Sequence, residues 1–473
     1  MRLAVRSFNY SDQVCFASVT GDNNPMHVDV LLARRTQAGA PVVHGMNLLL
    51  WALDSFAAAL PDLPPLHGFS AQFYNFVHLD ETVHVDLFQQ GPTCARLNIS
   101  VDGVARSRVT LEFGEPAQQL PDWSTASLEP VPLLQAPLNL EFEQMSGRSG
   151  KFPFPMTPED STALFPSATR WLGARRICAV AASTYLVGMV CPGRYSIYRE
   201  LSIETCAKLH PQDLLAFRVV KTDARFRLVE QEIAGGGLIG TVKTFASTPP
   251  VRQASMESLA GVVDPAEFAG SVALIVGGSR GLGELTAKLI AAGGGTVVIT
   301  WQTGRDDAES VAREIRLAGK ACETLAYDTR KPVAEQLAAL PETPTHVYYF
   351  ATPAIFKPQS QLFSSERLKE FMDVYVHGFW QLSQALRTRQ ANLSVFYPSS
   401  IAVTDRPRGM TEYTMAKAAG EVLCADINAY LAPLRVIVKR LPRLLTDQTA
   451  SNTAAETAHP LATLLPIIRE VQA

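Results

Sequence analysis

The run from Gly45 to Leu60, Gly-Met-Asn-Leu-Leu-Leu-Trp-Ala-Leu-Asp-Ser-Phe-Ala-Ala-Ala-Leu, constrains this chain more than any other stretch. As a helix it is apolar almost all round, with only Asn47, Asp54 and Ser55 as exceptions, so it has no face to give to water and must be wrapped by other structure. A bilayer would also accept such a helix, but the run is too short to span one and carries Asp54. The chain that follows supplies the wrapping. Phe69–Val77, Glu81–Phe88, Ala95–Val101 and Arg106–Phe113 read as strands separated by polar or glycine-containing turns. A buried helix followed by a meander of strands predicts an α+β domain over residues 1–120, its last strand ending near Glu115.

Just before the helix lie Thr20-Gly21-Asp22-Asn23-Asn24-Pro25-Met26-His27 and Gly39-Ala40-Pro41-Val42-Val43-His44-Gly45-Met46. Asp22 and His27 are five positions apart, and a carboxylate with an imidazole at that spacing can hold one water, activate it and return its proton. This suits the addition of water to a double bond. Gly45, at the helix start, offers a backbone N–H to a developing oxyanion. Asp-Asn-Asn-Pro is also ordinary turn chemistry. The whole run resembles the (R)-specific enoyl-thioester hydratases and dehydratases of the MaoC-like hot-dog family, and the resemblance implies that Asp22 and His27 are the acid and base.

Residues from about Pro116 to Pro137 are rich in Pro, Ser and Gln and read as a connector. The order of helix then strands then repeats: Val180–Val190, Tyr195–Ile203, Leu214–Val220, Phe226–Ile233 and Leu238–Phe245. This predicts a second hot-dog over residues 138–250. Ala181, Ala182 and Ser183 stand where the first copy has Val43, His44 and Gly45, so the second copy lacks the acid/base motif and is expected to be non-catalytic. By the same resemblance it completes an acyl tunnel. Arg170, Arg175 and Arg176 either contact the phosphates of a pantetheine carrier or form a solvated basic face.

A second connector, Ser247–Gln253, leads to a different pattern. The apolar strand Ser271–Val276 runs into Gly277-Gly278-Ser279-Arg280-Gly281-Leu282-Gly283 and a helix, after which strands and helices alternate. That predicts a doubly wound parallel sheet over residues 268–450. A glycine-rich turn between strand and helix lets a pyrophosphate approach backbone N–H groups at the positive end of the helix. Downstream, Ser400 precedes Tyr413 by thirteen positions, and Lys417 follows Tyr413 by four, on one helix face. Gly277-x3-Gly281-x-Gly283 with Ser400, Tyr413 and Lys417 resembles the short-chain dehydrogenases/reductases. The resemblance implies that Tyr413 moves the alcohol proton, Lys417 lowers the tyrosine pKa and holds the ribose, and Ser400 orients the carbonyl. It also implies cofactor contacts from Gly277, Ser279, Arg280, Gly281, Leu282 and Gly283, and adenine contact from Asp328.

Three departures from that family bear on turnover. Tyr349-Phe350-Ala351-Thr352 replaces the Asn-Asn-Ala-Gly of the family, Tyr375 replaces its relay Asn, and Pro442-Arg443 replaces Pro-Gly with little chain left to form a substrate lid. The second strand, by contrast, points to NADPH. It ends Thr300-Trp301-Gln302-Thr303-Gly304-Arg305 with no acid before Asp306, so nothing repels a 2′-phosphate, and Arg280 can reach one.

With 47% hydrophobic and 18% charged residues and a net charge of −3, the chain reads as globular, with no bias toward nucleic acid. Its seven cysteines are scattered, with no CxxC pair and no His cluster at metal-ligand spacing, so a reducing cytoplasm and no metal are expected. The N-terminus reaches polar residues too early for a signal-peptide core, and the C-terminus carries no lipidation box, so neither export nor membrane anchoring is indicated. Homo-oligomerisation stays open. Together these readings give an α+β double hot-dog followed by an α/β Rossmann-like doubly wound parallel sheet. The expected enzyme is a bifunctional 3-hydroxyacyl-thioester dehydratase/enoyl hydratase and NADPH-dependent 3-ketoacyl-thioester reductase, acting in biosynthesis on a thioester of coenzyme A or acyl carrier protein. The alternatives are a degradative hydratase/dehydrogenase, or a hydratase whose nucleotide-binding domain is catalytically silent.

Overall fold

The computed structural model describes residues 1–60, 62–117, 123, 127–207, 213–355, 362–447, 449 and 457–473. The expected boundaries at 120 and 450, and much of the 116–137 connector, lie outside the described residues. Two compact units divide between Pro249 and Pro250.

The first unit begins with β1 (Arg2–Ser7), α1 (Tyr10–Thr20) and the short α2 (Pro25–Val28) and α3 (Val30–Ala33), none of which the apolar pattern had marked. The expected buried helix is α4 (Gly45–Ala59), with Met46, Leu49, Leu50, Ala52, Leu53 and Phe56 fully buried. The meander follows as β2 (Leu66–Phe73), β3 (Thr82–Gln90), β4 (Cys94–Val101) and β5 (Val104–Phe113). The second half adds β6 (Ser149–Pro153), α5 (Pro158–Leu164), α6 (Pro166–Leu172), α7 (Ala174–Tyr185), β7 (Ser196–Thr205), β8 (Leu214–Asp223), β9 (Leu228–Gly235) and β10 (Leu238–Ala246). Helix α7 starts at Ala174, six residues before the expected Val180, so Ala181, Ala182 and Ser183 lie in its body and do not open it.

The ten strands among the described residues of this unit form one sheet, in the order β1-β3-β4-β5-β2-β7-β10-β9-β8-β6, and the two halves join at the antiparallel pair β2–β7. At the joint Gly68 faces Glu204, and a methyl group at position 68 would lie 2.4 Å from the Ile203 carbonyl oxygen, so only glycine lets the strands close there. The lone acid of α4 also has a structural task. The Asp54 carboxylate accepts from the backbone N–H groups of Ser167 and Ala168 at 2.7 and 2.9 Å, satisfying donors at the start of α6. This contact ties the apolar helix of one half to a helix of the other.

The second unit carries β11 (Val272–Val276), α8 (Gly281–Ala292), β12 (Thr296–Trp301), α9 (Arg305–Leu317), β13 (Cys322–Ala326), α10 (Val333–Gln336), β14 (His346–Tyr349), α11 (Ser365–Met372), α12 (Phe379–Arg387), β15 (Ser394–Ser400), α13 (Ala402–Asp405), α14 (Thr411–Tyr430), β16 (Arg435–Leu441) and α15 (Pro460–Gln472). Its six strands are all parallel, in the order β13-β12-β11-β14-β15-β16, with a buried cluster on each face. The order reverses between β11 and β14, which makes the carboxyl ends of those strands the place for a ligand. The chain after β16 does not serve as a lid where it is described: α15 buries Leu464, Ile468 and Val471 in the core.

Candidate active sites

The first site forms where α1 ends and α4 begins. Gly21, in the left-handed region at φ 68°, turns the chain out of α1 and places Asp22 in the interior at 1% exposure. Asn24 caps α2, whose turn brings His27 round to the start of α4. His27 Nδ1 lies 2.8 Å from the Val42 carbonyl, so that nitrogen carries the proton and the Nε2 lone pair is left to act as a base. The His27 ring stacks on His44, with centroids 3.7 Å apart and planes tilted by 24°.

His44 is fully buried. Its Nε2 lies 3.1 Å from the Asp22 carbonyl oxygen and 4.0 Å from Asp22 Oδ2, while Nδ1 faces Gln13 Oε1 at 3.0 Å. Burial lowers the pKa of His27, against the charge of Asp22. Burial and the neighbouring His27 hold His44 well below the ordinary histidine range. Burial also raises the Asp22 carboxyl above its usual range, opposed by His27, the Thr184 hydroxyl and the Asn24 N–H. Gly45 is the first residue of α4, which no side chain caps, and a methyl group there would meet the Phe73 ring at 3.2 Å.

Asp22, His27 and His44 each offer a ligand atom within 4.8 Å of the others. The two rings are stacked, however, so their in-plane lone pairs run side by side and do not converge on a tetrahedral centre. The geometry suits proton handling better than metal ligation.

The second half enters this site, although its sequence has no acid/base motif. Thr184, near the end of α7, donates its hydroxyl to Asp22 Oδ2 at 2.7 Å. The helix then widens into a π-helical turn, Leu186–Val190, a distortion often found at functional positions. Within it, Gly188 faces the carboxylate so closely that a methyl group would lie 2.1 Å from Asp22 Oδ1. The Asn24 side-chain amide donates to the carbonyls of Gly188, Gly193 and Arg194.

Two of the three arginines of the second half are engaged within the fold. Arg176 donates to the carbonyls of Leu172, Cys206 and Gly237, and Arg175 pairs with Asp213 at 2.6 Å, so both guanidinium groups serve the fold. Arg170 is exposed.

In the second unit, α14 carries Tyr413 and Lys417 on one face, beside Ser400 at the end of β15. The Ser400 side chain hydrogen-bonds Tyr413, lowering its pKa against the larger upward push of burial. Lys417 is 5% exposed and donates to the Pro398 carbonyl at 2.7 Å. Burial lowers its pKa to about 7. Tyr375 occupies a second π-helical turn, Asp373–Gly378, between α11 and α12; its ring lies 3.8 Å from Lys417 Nζ, and its hydroxyl bonds Thr352. Two of the departures from the family pattern, Tyr375 and Thr352, therefore meet beside Lys417.

The glycine turn fits a dinucleotide. Gly277 and Gly281 have φ of 83° and 60°, and a methyl group at Gly283 would lie 2.3 Å from the Gly277 carbonyl oxygen. Over Gly281 the nearest atom to an added methyl is Thr446 Cγ2 at 3.9 Å, and α8 has no side-chain cap, so space and backbone donors coincide. Ser279 is buried, Leu282 packs against the core, and Gly277 N–H donates to Thr300 Oγ1 at 3.1 Å. Arg280, expected to reach for a 2′-phosphate, lies 3.4 Å from Asp447. The Asp328 carboxylate accepts from Arg330 N–H and Nε at 3.0 and 3.3 Å.

His44, Gln13, Thr184, Gly188 and Asp447 were given no role on sequence grounds. His44 stood in plain view before Gly45; the other four lie far along the chain from the residues they touch, and no local pattern marks them.

Residues 4–111 match the model of the MaoC-like domain, and residues 271–457 match that of the short chain dehydrogenases. No curated protein matches the chain in sequence. Among solved structures, the chain is similar to an oxidoreductase, yciK, from E. coli, at 20% identity and a TM-score of 0.40, covering 44% of this chain and 92% of that one. A 3-oxoacyl (acyl-carrier-protein) reductase from Agrobacterium tumefaciens C58 with NADP bound is similar at 20% identity and a TM-score of 0.36, over 39% of this chain and 74% of that one. A blue fluorescent protein from a metagenomic library in complex with NADPH is similar at 18% identity and a TM-score of 0.35, over 38% and 78%. The chain is a fusion of a MaoC-like domain with a short-chain dehydrogenase domain, a dehydratase joined to an oxidoreductase.

Proposed function

We propose that the chain is a bifunctional enzyme in which a 3-hydroxyacyl-thioester dehydratase, also able to run as an enoyl hydratase, is joined to an NADPH-dependent 3-ketoacyl-thioester reductase. One observation carries this reading: the buried Asp22–His27 pair and the Ser400–Tyr413–Lys417 set occur on one chain. A 3-hydroxyacyl thioester is the product of the second chemistry and the substrate of the first.

In hydration, one water held between the Asp22 carboxylate and His27 Nε2 gives its oxygen to C3. Its proton reaches C2 through the acid/base pair, and dehydration is the reverse. The neutral state that burial gives His27 leaves Nε2 able to accept the proton. The backbone N–H of Gly45, at the uncapped start of α4, faces charge developing on the thioester oxygen. An acyl thioester of coenzyme A or of a carrier protein is the substrate class that this chemistry takes.

Gly277, Ser279, Arg280, Gly281, Leu282 and Gly283 would hold a nicotinamide dinucleotide, and Asp328 would lie by its adenine. When bound, that cofactor supplies the hydride. Tyr413 gives its phenolic proton to the carbonyl oxygen, Ser400 holds the same oxygen, and the Lys417 ammonium eases proton loss from Tyr413. The absence of an acid along Thr300-Trp301-Gln302 supports NADPH, and with it the biosynthetic direction.

The test is to offer a 3-hydroxyacyl thioester to the purified protein. Enoyl thioester should form without any nicotinamide, and the 3-keto compound should form once NADP is added. A second reading, a hydratase whose nucleotide-binding unit does not turn over, is favoured by Tyr375 in the relay position. Enoyl formation without ketone formation is the result it expects.

A further inference from the structure

We propose that Thr184 is a positioning residue of the dehydratase, so that the half lacking its own acid/base pair supplies part of the working site. The proposal rests on the dehydratase reading of Asp22 and His27. Asp22 lies in a fully enclosed environment, where a carboxylate loses its hydration and tends to take up a proton. A carboxylate that must hold and activate water needs both its charge and a fixed plane, and α7 with its π-helical extension provides both.

The Thr184 hydroxyl donates to Oδ2 at 2.7 Å, and the Asn24 N–H donates to Oδ1 at 3.2 Å. One donor per oxygen favours the charged form and leaves a lone pair on each oxygen for substrate water. Gly188 packs against the carboxylate where any side chain would displace it, and the Asn24 amide is itself held by the carbonyls of Gly188, Gly193 and Arg194. All of these groups except Asn24 come from the second half, more than 160 positions along the chain.

The other polar and titratable groups facing Asp22 are His27, His44 with Nε2 at 4.0 Å from Oδ2, and Tyr185 beside Thr184 on α7. Burial lowers the pKa of both imidazoles. Thr184 is therefore the side-chain hydrogen bond that opposes the desolvation of this acid.

The full-length protein, its Thr184→Val variant and its Thr184→Ser variant should be compared in the hydration of a crotonyl thioester across the acid range. Activity that needs ionised Asp22 falls as pH drops through its pKa. Losing one hydrogen bond to a charged group should raise that pKa, moving the acid limb of kcat/KM up by about one to two pH units in Thr184→Val. Thr184→Ser keeps the hydroxyl and should restore the wild-type limb. KM should change less than kcat, because the threonine does not touch substrate.

An active wild type with a Thr184→Val profile that superimposes on it, or that falls uniformly without moving, overturns the proposal and leaves the dehydratase reading standing. The same holds if Thr184→Ser behaves like Thr184→Val. A wild type that hydrates no enoyl thioester overturns the dehydratase reading, and the proposal with it.

Discussion

The ammonium of Lys417 lies 3.8 Å from the centre of the Tyr375 ring, so the position expected to hold the family's relay Asn presents an aromatic face to that lysine. Burial brings the Lys417 pKa down to about 7 against the opposing pull of Cys424 and Glu421, and the ammonium also donates to Pro398 O and faces the Tyr375 ring.

From this placement we expect a pH dependence of ketoreduction. An ammonium with a pKa of about 7 is charged below that pH and neutral above it, so support for Tyr413 fades as pH rises through 7. Ketoreduction should show a basic limb there. Tyr375→Asn admits water to Lys417, relieves the desolvation and should move the limb to higher pH. A pH-rate profile identical in wild type and variant would show that Tyr375 does not set the state of Lys417.

Asp22→Asn and His27→Ala should each lower hydration by about 10²–10⁴-fold, the usual loss when a positioned acid/base group is removed. Nicotinamide binding should be unaffected, since the glycine turn belongs to the other compact unit. Near-native hydration of a short 2-enoyl thioester by either variant would mean that the water is activated elsewhere.

Gly188→Ala should be nearly as damaging as loss of the acid itself. The new methyl would lie 2.1 Å from Asp22 Oδ1, so the carboxylate must leave its place or the π-helical turn must shift. We expect a thermal midpoint lowered by a few degrees, hydration reduced at least tenfold, and unchanged NADPH binding. Full hydratase activity in this variant would show that the second half merely adjoins the acid.

How much of this was legible in the sequence differs between the two units. The parallel sheet could be read almost strand by strand, because each apolar run is short, continuous and followed by a helix, and because Tyr413 and Lys417 sit four apart on one helix. The proximity of Asp22 and His27 to the start of α4 at Gly45 was legible for the same reason: they lie close together in the chain. Thr184 and Gly188 could not be read, since their role exists only where two halves of a ten-stranded sheet fold back on each other. The start of α7 was placed late because Arg175 and Arg176 interrupt its apolar pattern, whereas in the structure their guanidinium groups reach carbonyls and Asp213 and leave the helix continuous.

Arg280 makes a contact that the glycine motif alone does not reveal. Arg280 lies 3.4 Å from Asp447, a carboxylate that is 6% exposed and also accepts from Val251 N–H. A 2′-phosphate would compete for the same guanidinium. We expect NADPH to bind more tightly than NADH, and Arg280→Ala to lose that preference. A charge-assisted hydrogen bond of about 1.5–3 kcal/mol corresponds to roughly ten- to a hundredfold in affinity. Asp447→Asn should tighten NADPH and leave NADH nearly unchanged. Fluorescence titration of both cofactors checks this, and equal wild-type affinities would remove the argument for the biosynthetic direction.

The most direct measurement follows NADPH consumption and enoyl-thioester absorbance together after a 3-ketoacyl thioester is added to the full-length protein. Wild type should consume NADPH and then produce the enoyl thioester. Asp22→Asn should consume NADPH and stop at the 3-hydroxy compound, and Tyr413→Phe should do neither with this substrate while still hydrating an enoyl thioester. A wild-type protein that dehydrates a 3-hydroxyacyl thioester yet consumes no NADPH with any 3-ketoacyl chain length would contradict the bifunctional account.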